Sequence, residues 1–124
     1  MEFTQFFKSV LDEDHSAIVI CDLNHIIIYM NSAAFNKYKK RGGKLLLGKS
    51  LLDCHNSQSI ELINKIIGWF QSNQSNNRIY MYHDDKENKD VYMIALRNEE
   101  GNLIGYYEKH AYRNPETQSP YQFD

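Results

Sequence analysis

Two stretches carry side chains capable of chemistry. Cys54 and His55 stand together in Asp53-Cys54-His55-Asn56, and Glu108 and His110 alternate with Tyr106 near the C-terminal end. A thiol beside an imidazole suggests an activated nucleophile, but immediate neighbours in sequence seldom meet with the geometry such a pair requires. A carboxylate and an imidazole two residues apart on a strand share one face. Turned into an apolar pocket, the carboxylate would need a partner or a ligand proton; at a solvated sheet edge it would need neither. No phosphate-binding glycine loop, serine nucleophile elbow or zinc-ligand spacing involving Cys21 or Cys54 occurs. The chain therefore reads as a non-enzyme.

The chemistry must be held by one domain, because 124 residues with 42% apolar content suffice for a single core. A net charge of −2 provides no positive field to hold nucleic acid or an anionic membrane. The nine tyrosines, several of them in the last three strands, have few basic neighbours, which suits sheet packing and interfaces better than base stacking. The apolar runs Ala17–Cys21 and Ile26–Met30 are too short to span a bilayer, and no signal-peptide pattern opens the chain. The expected location is cytoplasmic, with both cysteines reduced.

Ala17–Cys21 and Ile26–Met30 read as strands joined by the turn Asp22-Leu23-Asn24-His25, and Asn31 or Ser32 can cap the helix that follows. Lys37, Lys39, Lys40 and Arg41 form a solvated basic helix end before Gly42-Gly43. Ile60, Ile63, Ile66, Ile67 and Phe70 recur at helical spacing and predict a helix over 57–72. Three strands follow, at 78–83, 90–97 and 103–112, the last two joined by a turn at Asn98–Asn102. Ahead of the first hairpin, Phe3, Phe6, Phe7, Val10 and Leu11 give a short helix an apolar face, predicted either to cover the outside of the sheet or to meet a partner. Residues 1–13 are thus an amphipathic helix and connector, 14–112 the domain, and 113–124 a polar tail containing Pro115 and Pro120.

The succession from Asp22 through the turn and β-branched run to Asn31-Ser32-Ala33-Ala34, the Leu45–Asp53 stretch with Gly48 and Lys49, and the closing Asn98-Glu99-Glu100-Gly101 with Ile104-Gly105 resemble a PAS sensor domain. Asp53-Cys54-His55-Asn56 is similar to a DCH element found in a bacterial subgroup of that superfamily. The resemblance implies an α+β fold: a five-stranded antiparallel sheet with helices inserted between strands 2 and 3, preceded by an N-terminal helix. Members of that superfamily often continue past the last strand into a signalling helix and an output domain, whereas this sequence stops, so the expectation is a stand-alone sensor that works through a homodimer or an unidentified output protein.

In the resembled fold, helices close over one sheet face and leave a pocket for a small molecule. With simple alternation its lining would include Val19, Cys21, Ile28, Met30 and Phe35, faced by Ile63, Ile66 and Ile67. The final strands would add Tyr92, Ile94, Leu96, Ile104, Tyr106 and Glu108. His55 could ligate haem iron through its imidazole, giving a gas or redox sensor, although the helix 57–72, where haem-binding relatives usually place their ligand, contains no histidine. Flavin photochemistry is disfavoured because Asp53 and His55 flank Cys54 in place of the asparagine-cysteine-arginine-phenylalanine run of light-oxygen-voltage domains. A third reading is an interaction module whose own side chains fill the core.

Overall fold

The computed structural model describes residues 2–123, so Met1 and Asp124, the outermost residues of the two flanks, lie outside the described residues. The first hairpin comprises β1 (Val19–Asp22) and β2 (Ile27–Met30). Its turn is closed by the Asp22 carboxylate, whose Oδ1 accepts from the backbone N–H of Asn24 at 2.9 Å and of Ile26 at 3.0 Å, while His25 takes a left-handed φ of 65°. The short helix α2 (Ser32–Lys37) follows, and 3₁₀ turns at Lys39–Arg41, Gly43–Leu46 and Leu51–Cys54 lead to α3 (Ser57–Ser72). The remaining strands are β3 (Arg78–Asp84), β4 (Lys89–Arg97) and β5 (Leu103–Tyr112). They form one antiparallel sheet in the order β2-β1-β5-β4-β3, with the helices inserted between β2 and β3 as expected.

The core lies between the inner face of this sheet and α3. Ile63, Ile66, Ile67 and Phe70 from the helix join Cys21, Ile27, Met30, Met93 and Tyr106 from the strands in one buried cluster. Both ends of α3 are tied down. At its start the Asn56 side chain accepts from Ser59 N–H at 2.8 Å, meeting one of the free donors of a helix N-terminus. At its end the Arg97 guanidinium donates to the carbonyls of Phe70 at 2.6 Å, Asn73 at 3.2 Å and Asn76 at 3.2 Å. The same group reaches Asn77 Oδ1 at 2.6 Å and Gly101 O at 3.0 Å, so one arginine binds the helix end to the β4–β5 turn.

Asn31 organises the other end of the domain. Its buried Oδ1 accepts from Ile18 N–H at 2.9 Å and Ala34 N–H at 3.0 Å, and its Nδ2 donates to Leu11 O at 2.8 Å and Ser16 O at 2.9 Å. The entry to β1, the start of α2 and the end of α1 (Thr4–Glu13) therefore meet on one carboxamide. Together with the hydrogen bond from Tyr29 Oη to Asp12, this holds the end of α1 against α2 and Tyr29 of β2. The expected covering of the sheet does not form: Phe3, Phe6, Phe7 and Val10 all remain exposed.

Three β-bulges interrupt the alternation. The extra residues are Ile28 on β2, between the pairs Ile20–Tyr29 and Cys21–Ile27, Met81 on β3, and Ile104 on β5. Next to the last of these, β5 crosses β1 so closely that a Cβ on Gly105 would lie 2.3 Å from the Cys21 carbonyl oxygen. Glycine is required there by contact, not by dihedral angle.

Replacing Asn31 with alanine strands buried donors and acceptors from three segments and should cost about 3 kcal/mol, read as a lowered urea midpoint with an unchanged slope. Asn31→Asp keeps the acceptor but lacks the amide donors, so it should recover only part of that loss; full recovery would contradict the role given to Nδ2.

Candidate ligand-binding cavity

A cavity of about 430 Å³ opens between the inner sheet face and the α2–α3 segment. The sheet supplies Val19 and Cys21 from β1, Ile27 and Met30 from β2, Met81 and Tyr82 from β3, Met93 from β4, and Tyr106, Glu108 and His110 from β5. The opposite wall is Tyr38, Arg41, Leu46, Leu51, Cys54, His55, Ser59, Leu62 and Ile63. Most of this surface is apolar, with the ionisable groups gathered on β5 and the turns facing it.

Of the residues expected from the sequence, Val19, Cys21, Met30, His55, Ile63, Tyr106 and Glu108 lie on the cavity wall. Phe35, Ile66 and Ile67 belong to the packed core behind it. Five others fall elsewhere. The bulge at Ile28 turns Ile27 inward and leaves Ile28 58% exposed, and the bulge at Ile104 likewise leaves that residue exposed while Leu103 packs on the core. On β4 the inward set is Val91, Met93 and Ala95, so Tyr92, Ile94 and Leu96 occupy the outer face. There Tyr92 packs against Tyr80, with ring centroids 5.3 Å apart, and under the Arg78 guanidinium at 4.2 Å. Both faces of β4 are apolar, so alternation gave no basis for choosing between them.

At the β1 side of the cavity, a chain of polar groups escapes sequence reasoning because its members lie far apart in the sequence. The Tyr106 hydroxyl is 2.7 Å from His25 Nδ1, and Cys21 is the residue paired with Tyr106 across the ladder. A left-handed turn residue is what swings the imidazole back over the strand. Burial pushes the Cys21 thiol up to about 11, and burial likewise raises Tyr106, with Cys21 adding to the effect. At neutral pH both groups keep their protons.

The other end is charged. Glu108 Oε1 is 3.3 Å from His110 Nε2. Lys89, buried on the same face, donates to Glu87 at 2.6 Å, and Lys37 is 3.9 Å from that carboxylate. The Tyr38 and Tyr82 phenols are raised by burial and then by the Glu108 charge. His55, on the opposite wall, has Nδ1 2.8 Å from Leu51 O, so a proton on Nδ1 leaves Nε2 as a bare lone pair. Among the described residues, no group of three or more His, Cys, Asp or Glu side chains is placed to hold a metal ion, and no helix is long and apolar enough to cross a membrane.

No family model and no curated protein matches the sequence. The structure, however, is similar to several solved ones. A C-terminal domain from Streptococcus mutans superposes with a TM-score of 0.65 at 18% identity, covering 86% of this chain and 82% of that one. The PAS domain of a Colwellia psychrerythraea protein gives 0.63 at 15% identity, covering 90% and 98%. The Aer2 receptor of Vibrio cholerae, described as a dual PAS-heme oxygen sensor, gives 0.54 at 18% identity, covering 77% and 91%. The strand order, the inserted helices and these superpositions define a PAS-like fold.

The two cysteines should differ sharply in alkylation. Iodoacetamide at pH 8 is expected to modify exposed Cys54 and to leave Cys21 unmodified until the protein is unfolded, because burial denies Cys21 both access and the thiolate form. Peptide mass mapping before and after denaturation provides the check.

Proposed function

We propose that this chain is a sensory domain that holds a small, mainly apolar molecule in its cavity and reports it through contacts with a second copy or a partner protein. The observation that carries the reading is the cavity itself: about 430 Å³, walled by methionine, leucine, isoleucine and tyrosine with a few polar groups, within the usual size range of small-molecule sites. A core filled by its own side chains would leave no such space. The reporting surface is offered by α1, whose Phe3, Phe6, Phe7 and Val10 stand exposed on a helix tethered through Asn31 to the strand end that leads into α2. Apolar patches of this kind mark interaction sites.

The tautomer of His55 favours a second reading, haem. With Nδ1 engaged by Leu51 O, His55 would hold a haem iron through Nε2 on the cavity wall. The donor set fits a single protein ligand, and the iron would supply gas binding or electron transfer. Aer2 shows that the fold can accommodate haem in another protein.

Native mass spectrometry of gently purified protein should show a non-covalent adduct. Met93→Trp, which fills the cavity from the sheet side, should abolish the adduct while leaving the circular dichroism unchanged. A bare mass for the wild type, together with no uptake of apolar probes, would favour the interaction-module reading. Haem would appear as a Soret band, and that band should disappear in His55→Ala.

A further inference from the structure

We infer that the cavity selects a neutral molecule with an apolar body and a single hydrogen-bond-donating group, an N–H or O–H, which the Glu108 carboxylate receives. The inference rests on the cavity being a ligand site and specifies what that site accepts.

Glu108 is not an edge residue. It projects from the inner face of β5, which has β1 on one side and β4 on the other, and it lies directly across from Met93. Among the described residues its side chain has a single close polar partner, His110 Nε2 at 3.3 Å, and it remains 46% exposed on the cavity wall. A carboxylate only accepts hydrogen bonds, so it can add only a donor to its wall.

His110 explains how the carboxylate is held. Its side chain is just 5% exposed, and its Nδ1 is buried with no hydrogen-bond partner. An aliphatic side chain like that of Val91, directly across the ladder, would fill the place without leaving a polar atom stranded. What imidazole adds is a ring nitrogen, Nε2, 3.3 Å from Glu108 Oε1. His110 is therefore a positioning residue, and its orphaned Nδ1 is the cost of keeping Glu108 turned to the cavity.

The charges decide what kind of donor fits. Lys37, Lys89 and Arg41 lie around this end, against the carboxylates Asp84, Glu87 and Glu108. The two signs are already balanced, so a charged head of either sign would lose its hydration without meeting a net counter-charge, whereas a neutral donor needs only the Glu108 oxygens. The rest of the wall, Met30, Leu46, Leu51, Ile63 and Met93, takes an apolar body.

Indole and 1-methylindole test the idea, since methylation removes the donor and leaves the shape nearly unchanged. Calorimetry on the full chain should give indole about ten-fold tighter binding, the size of one charge-assisted hydrogen bond. In Glu108→Met the ratio should fall to about one while 1-methylindole binds as before, because only the polar contact has been lost. His110→Phe should lower the ratio in the same direction, again without changing 1-methylindole, a split that simple loss of packing would not produce. Tryptamine and indole-3-propionate should both bind more weakly than indole. Equal binding of indole and 1-methylindole to the wild type, or tighter binding of either charged probe, would overturn the inference and leave the cavity reading intact. Failure of all four to bind at millimolar concentration would overturn both.

Discussion

A single carboxamide holds the N-terminal half of this domain in register. Asn31 is fully buried, and its two ends answer opposite needs: the oxygen receives two backbone N–H groups and the nitrogen serves two backbone carbonyls. No other side chain of that size both accepts and donates twice. Aspartate lacks the donors, and serine or threonine the reach and number. Because those backbone groups come from the α1 end, the β1 entry and the α2 start, the direction in which the chain leaves the first hairpin depends on this residue. Everything that roofs the cavity follows from that direction.

The opposite end is secured by charge. Three of the carbonyls that Arg97 satisfies lie in and just beyond the last turn of α3, where the helix dipole presents partial negative charge. Its other contacts lie at Asn77 and in the β4–β5 turn. Asn31 and Arg97 thus pin opposite ends of the helical wall to the sheet. Between them the wall relies on apolar packing of Ile63, Ile66, Ile67 and Phe70. The cavity is consequently bounded by elements fixed at their extremities, and the 3₁₀ segment between them is tied to the first hairpin by hydrogen bonds from Gly48 N–H to Ile27 O at 2.8 Å, from Ile27 N–H to Lys49 O at 2.9 Å and from Leu51 N–H to His25 O at 2.7 Å.

Much of this architecture was legible in the sequence, because the signals that set it act over a few residues. Asp22 closes its own turn, Asn31 caps the helix that begins one residue later, and the isoleucine spacing marks α3 over the span at which it is found. The cap of α3 is Asn56, the residue immediately ahead of the predicted span. The candidate site was less legible. Which face of a strand turns inward depends on parity, and parity is reset by bulges that leave no local mark: nothing in Ile26-Ile27-Ile28-Tyr29 says which isoleucine is surplus. On β4 both faces are apolar because the outer one carries its own layer of aromatic contacts. The link between His25 and Tyr106 spans 81 residues and exists only once the sheet is assembled.

Those surplus residues have a further consequence. A bulge bends its strand and sharpens the local twist, and Ile28, Met81 and Ile104 lie on three of the five strands. Excising any one would leave the neighbouring rungs able to pair while straightening the strand beneath the helices. The hollow in this sense depends on chain length as well as side-chain volume: a sequence shortened at these three positions would keep the topology while losing the bends that the spare residues put into β2, β3 and β5.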